Sequence, residues 1–161
     1  VAKFRRVTSA DAKDIRFALG IDDYSAKAGW FESAKYEDGT PVASVAIKQE
    51  FGAMPIIPPR SFMRTAAAEN KDNWASVISE LSKEMVKGNI SPENVMLGFG
   101  SIVAGDIRKK IASITDPPLA DSTIKNRTSK RANNKKVGNL TKPLVDSALM
   151  INTLTNIAEK S

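Results

Sequence analysis

SFMRTAAAENKDNWASVISELSKEMVKGNISPENVMLGFGSIVAGDIRKKIASI, residues 61 to 114, is the stretch that decides the fold. Trp74, Val77, Ile78, Leu81 and Met85 recur at the three-and-four spacing of one helix face. Ser61 is placed to cap that helix, which should run from Phe62 through Lys87, with Gly88 as its stop. Ser91-Pro92-Glu93 then opens a second helix with a cap, a proline at the first helical position and an acid in the first turn. Val95, Phe99, Ile102, Val103, Ile107, Ile111 and Ile114 form its apolar stripe, and Pro117-Pro118 break it. Two long antiparallel helices, about 62–87 and 92–114, are therefore expected to face each other.

The flanks add shorter pieces. Thr8 or Ser9 can cap a helix that runs to about Leu19 and stops at Gly20. Ala26, Ala28 and Trp30 share one face of a strand near 26–32. Asp38-Gly39 marks a turn, and Pro41 opens a helix to Phe51 in which Val42, Val45, Ala46 and Gln49 share a face, stopped by Gly52. Met54 to Arg60 contains Pro55, Pro58 and Pro59, so it is neither helix nor central strand; the expectation is a stiff, extended connector. Asp121 or Ser122 caps one more short turn, and the polar, basic run from Thr128 to Lys142 reads as a mobile loop. Asp146 caps a turn that contains Ala148 and Leu149, and Ile151, Thr153, Thr155 and Ile157 alternate over a strand near 151–158. Pairing of that strand with the one at 26–32 closes the domain. The whole is an α+β single domain over residues 1–161: a small antiparallel sheet packed with two long helices and shorter ones, plus a flexible basic loop at about 128–142.

A chain of 161 residues is long enough for one hydrophobic core. No apolar run reaches the roughly 18 residues that span a bilayer, so no membrane is expected. The first 20 residues hold three Arg, two Lys and two Asp without an apolar block, which argues against a signal peptide. A start at Val1 rather than Met suggests that an N-terminal piece has been removed. Cys and His are both absent, which leaves out disulfides, thiolate nucleophiles, zinc sites of the usual kind and His-based triads.

The net charge of +6 has one source. Between Ser122 and Val145 stand Lys125, Arg127, Lys130, Arg131, Lys135, Lys136 and Lys142 with no acid, while the other 17 Lys and Arg meet 18 Asp and Glu. Such a segment can bind phosphate with little sequence preference, so a small basic nucleic-acid-binding protein using residues 122–142 is the alternative reading. The segment lacks aromatic residues to stack on bases. Docking to an acidic partner, or plain solvation, is the competing use.

For catalysis the candidates are thin. Glu32 and Glu50 flank the Trp30 segment and Asp106 lies within a helix, but no spacing sets them up as an acid–base pair, and solvated or salt-bridged roles are the better expectation. Lys48 and Tyr36 add no case. Gly98-Phe99-Gly100 lacks the Lys-Ser/Thr of a phosphate loop and more simply admits a close backbone approach. No catalytic residue, cofactor, metal or small-molecule substrate is expected. The aromatic and proline block from Gly29 to Asn70 divides instead into a core-facing half, Trp30 to Phe51, and the arm from Met54. A stiff apolar arm loses little entropy on docking, so Met54, Ile56, Ile57, Pro58, Arg60, Phe62 and Arg64 are the expected interface, with a core role for Trp30, Phe31, Phe51, Phe62 and Trp74 as the alternative.

The order of these motifs resembles a tailed-phage neck or tail-completion protein. Val45-Ala46 with Glu50-Phe51-Gly52 is similar to that group's alanine…glutamate-phenylalanine-glycine helix. Pro59-Arg60-Ser61-Phe62-Met63-Arg64 resembles its proline-arginine-proline-phenylalanine-hydrophobic-arginine turn, with Ser61 for the second proline. Leu144-Val145-Asp146-Ser147-Ala148-Leu149 resembles its leucine-valine-aspartate-threonine-glycine-hydrophobic stretch, with Ser-Ala for Thr-Gly at a turn that can use positive φ. The match runs from about Gly29 to Asn156. It implies a non-enzymatic virion subunit of the head-to-tail connector, made in the bacterial host cytoplasm and resident in the neck or upper tail. Implied partners are copies of itself in a ring, portal or adaptor, tail-terminator or tail-tube subunits, with packaged DNA nearby.

Overall fold

A computed structural model describes residues 20, 23–134, 141–144 and 148–160, with side chains from 130 to 140 outside that set. The expected helix at 8–19 lies outside the described residues, as does Asp146. In chain order the elements are β1 (Tyr24–Gly29), α1 (Val42–Phe51), α2 (Met63–Val86), α3 (Pro92–Ser113), α4 (Asp121–Asn134), α5 (Leu149–Asn152) and β2 (Thr155–Lys160). The class is α+β, as expected: among the described residues there is a two-stranded antiparallel sheet with five helices, two of them long.

The long hairpin has the ends that its sequence encodes. The Ser91 hydroxyl accepts from the Asn94 amide at 3.3 Å, and Pro92 and Glu93 occupy the first turn of α3. At the other helix end, Gly88 takes φ 81 and donates to Met85 O while Asn89 donates to Glu84 O, a Schellman stop. The start of α2 differs from expectation. Ser61 is not its cap; the carboxylate of Glu50, from the end of α1, accepts the Met63 and Arg64 amides at 2.9 and 3.2 Å.

α3 is the hub, packed against α2 and against both strands. Its Val95, Ala104, Ile107 and Ile111 are buried, and Val42, Ala46, Phe62, Ala66, Met150 and Leu154 complete the main core with Ile107 and Ile111. Met85 and Val95 form a second, small cluster at the far end of the hairpin. Ile102, counted in the apolar stripe, is exposed, and Ala104 is buried instead. The α2 stripe is only half-covered: Trp74, Val77, Ile78 and Leu81 keep part of their surface open. Polar contacts fix the pairing of the two helices. The Trp74 indole donates to Asp106 at 2.9 Å and Lys110 pairs with Glu69 at 2.5 Å.

β1 and β2 pair over six residues, from Tyr24 opposite Lys160 to Gly29 opposite Thr155. The predicted pairing holds, but β2 starts four residues later than the alternation suggested. Leu149–Asn152 makes a helical turn first, with Ala148 left-handed at φ 57 and the Thr153 hydroxyl returned to Leu149 O. On the α3 side, Asn156 lies over Gly100, where an added Cβ would stand 3.1 Å from its side chain. Asn156 also donates to Leu97 O at 3.0 Å, so what comes close at Gly100 is a side chain rather than the backbone expected at Gly98-Phe99-Gly100.

α4 corrects the loop expectation over 128–134. Its Thr128 and Ser129 hydroxyls bond back to Ile124 O and Lys125 O, and its first amides meet Ala120 O. Polarity alone was the signal for a loop, yet Lys, Arg and Ala are good helix formers and an exposed helix can be polar over most of its surface. Residues 135–140 lie outside the described set.

Candidate functional site

Glu50 organises the region where α1 ends and α2 begins. It is buried, which alone would raise its pKa, but the Met63 amide, the Arg64 side chain, the Ser61 hydroxyl and the Arg64 amide hold it below the ordinary carboxylate value. The Arg64 guanidinium donates to Glu50 Oε1 at 2.9 Å and to the Glu50 carbonyl at 3.1 Å. It also lies 4.6 Å over the Phe51 ring, in cation–π contact. One carboxylate thus caps a helix, binds a cation and ties residues 50 to 64 into a unit.

Within that unit the chain does not extend. Ala53 and Ile57 exchange backbone bonds of 2.8 and 2.9 Å, so Met54, Pro55 and Ile56 form the tip of a tight turn. This corrects the extended arm: three prolines forbid regular structure but not a turn. Gly52 makes the turn possible. At φ 79 it lets Ile57 O and Pro59 N come within 2.9 Å of where a Cβ would sit. Arg60 anchors the base. Its amide donates to Gln49 O at 2.7 Å, and its guanidinium to Pro117 O at 2.8 Å, Pro118 O at 2.9 Å and Gln49 Oε1 at 3.2 Å. Burial and then the nearby Arg127 charge lower its pKa from the ordinary value, with Asp116 opposing.

The turn carries its apolar side chains outward. Met54 is 77% and Ile56 85% exposed, and on α1 Ile47 and Phe51, one turn apart, are 60% and 61% exposed. These four side chains follow one another along the end of α1 and the turn. Of the expected interface residues, Met54 and Ile56 are open, Ile57 and Pro58 half-buried, and Arg64 exposed while bound to Glu50. Arg60 and Phe62 are buried and leave the interface set. Phe62 is a core residue, with Trp30 edge-on to it at 5.9 Å. Arg60 is a brace.

Phe51, expected in the core-facing half, is exposed instead, as is Ile47. The signal was present: Val42, Ala46 and Glu50 define the buried face of α1, and Ile47 and Phe51 each stand one residue further round.

The other candidates separate. Glu32 and Lys48 are exposed, and Asp106, bonded first to the Trp74 indole and then to Lys109, titrates below its ordinary value. Glu50 is used as a cap. Tyr36 lines a cleft of about 290 Å³ with Asp38, Gln49, Arg127, Leu119 and Met150 among its walls. Of the basic residues, Lys125 is exposed on α4, whereas Arg127 is half-buried and donates to Lys142 O at 2.9 Å. The side chains of Lys130, Arg131, Lys135 and Lys136 lie outside the described set. Among the described residues no group of three or more acids is placed to hold a metal ion, and no helix is long and apolar enough to cross a membrane.

Comparison with protein-family models, with curated proteins and with solved structures finds no match for this chain.

Proposed function

We propose that this chain is a structural subunit of the head-to-tail connector of a tailed phage, a neck or tail-completion protein that works as a ring and has no enzymatic role. The observation that carries the reading is the meeting of two motifs of the resemblance. Glu50-Phe51-Gly52 and Arg60-Ser61-Phe62-Met63-Arg64 are locked together by the Glu50 carboxylate, and the turn between them exposes Met54 and Ile56. A braced turn with apolar side chains at its tip is suited to docking, because little entropy remains to be lost. Position 148 adds support. The resemblance has glycine there, and Ala148 takes φ 57, a conformation that favours glycine. In this reading Met54, Ile56 and Phe51 hold the adjacent subunit, with portal-side or tail-side subunits and packaged DNA as further neighbours.

Native mass spectrometry of the purified chain at its highest soluble concentration tests the self-association. The wild type should give a closed multimer, and Met54→Asp with Ile56→Asp should give monomer with unchanged circular dichroism. A multimer of the same size from the double variant would remove the turn from the interface.

A further inference from the structure

A two-stranded sheet has two outer edges, and here neither meets a third strand among the described residues. Each edge is six residues of backbone with half of its polar groups turned outward. Proteins that leave such an edge open usually blunt it with proline, a bulge or unpaired charge. β1 and β2 contain no proline, and their register is continuous from Tyr24–Lys160 to Gly29–Thr155, without a bulge. The cation in the middle of β1, Lys27, is already bound to Glu159 on β2, and the other strand lysine, Lys160, stands at the end of β2 opposite Tyr24.

We propose that the outer edge of β2 in one copy pairs antiparallel with the outer edge of β1 in the next, so that the sheet continues from subunit to subunit. This deepens the ring reading and rests on it. Charge selects the pairing. With the register that the two strands use within a chain, Lys27 stands between its own Glu159 and that of the preceding copy, and the charges alternate along the sheet. Pairing β1 with a second β1 would set lysine near lysine. A β1-to-β2 contact joins two different surfaces, so it repeats from copy to copy, and within a closed ring it leaves no edge open. An isologous pair would stop at a dimer with two edges still unpaired.

The chain has no cysteine, so Ser25→Cys and Ile157→Cys can be made as separate single-thiol variants and mixed. These positions lie on the sheet face away from Asn156, diagonal to each other, roughly 7–8 Å apart across paired strands. A short bismaleimide should join the two variants, and should do so far better than it joins either variant to itself. Lys27→Glu in both should remove most of that product, and Glu159→Lys added to it should restore it. A multimer that forms without the mixed product, or a product untouched by Lys27→Glu, overturns the edge pairing and leaves the ring standing. A chain that stays monomeric at the concentrations used overturns both.

Discussion

At the scale of single residues, three positions govern stability in different ways. Ala148 holds a left-handed backbone that costs an L-residue about 1–2 kcal/mol, and glycine would relieve it at a cost of about 0.5–1 kcal/mol in chain entropy. Ala148→Gly should therefore raise the thermal midpoint by up to about 2–4 °C in calorimetry. Gly100 should behave in the opposite way. A methyl there gains about 1 kcal/mol of helix propensity. It also collides with Asn156, which cannot retreat because it is bound to Leu97 O and sits in β2, so Gly100→Ala should lose about 1 kcal/mol net in urea unfolding. Glu50→Ala should cost about 2–3 kcal/mol, since it frees charge-assisted bonds and two helix-start amides. The folded pKa of Glu50 is lowered, so its contribution is present above the ordinary value of 4.5 and is lost as pH falls through the lower folded value. Acid titration of stability should show that loss in the wild type and a smaller one in Glu50→Ala.

At the scale of elements, the sequence was most informative where periodicity and caps agreed. α2 and α3 lie within a residue of their expected ends, because Gly88 and Ser91-Pro92-Glu93 signal local backbone events that tertiary packing leaves intact. The pairing of the first and last strands was legible too, though the start of β2 was hidden by a helical turn over Leu149–Asn152 whose residues also alternate. Two features were not legible. The turn at Met54–Ile57 depends on a backbone exchange and on Arg60 reaching Pro117 and Pro118, a contact between residues 57 and 58 positions apart. The cap of α2 comes from Glu50 rather than from the adjacent Ser61, and no local pattern announces a cap from a preceding helix. In the second half of α4 the polar, basic composition points to a loop while helix propensity points to the helix that forms. Having no buried residue among those described, α4 should open more readily than α3, whose core includes Ile107 and Ile111. Hydrogen exchange should show early deuteration across Asp121–Ser129 and slow exchange across Val95–Ile111. Equal protection in the two helices would mean that α4 is held by contacts beyond those described.

At the scale of the molecule, the excess charge and the exposed apolar residues fall on different stretches of the sequence. The net charge of +6 is concentrated between Ser122 and Val145, while Ile47, Phe51, Met54 and Ile56 make an apolar end at α1. Within the basic segment Arg127 turns inward to Lys142 O. Binding to duplex DNA should therefore be weak at physiological salt, and a gel-shift series across ionic strength would show it. Tight binding with a steep salt slope would favour the nucleic-acid reading. In the proposed role the chain joins heads to tails through the turn at Met54 and Ile56. The most direct measurement is electron microscopy of particles assembled in cells where either the wild-type chain or Met54→Asp with Ile56→Asp is the sole copy supplied. The wild type should give joined particles, and the double variant, folded and present at the same level, should give separate heads and tails. Joined particles in normal proportion from the double variant would contradict the account.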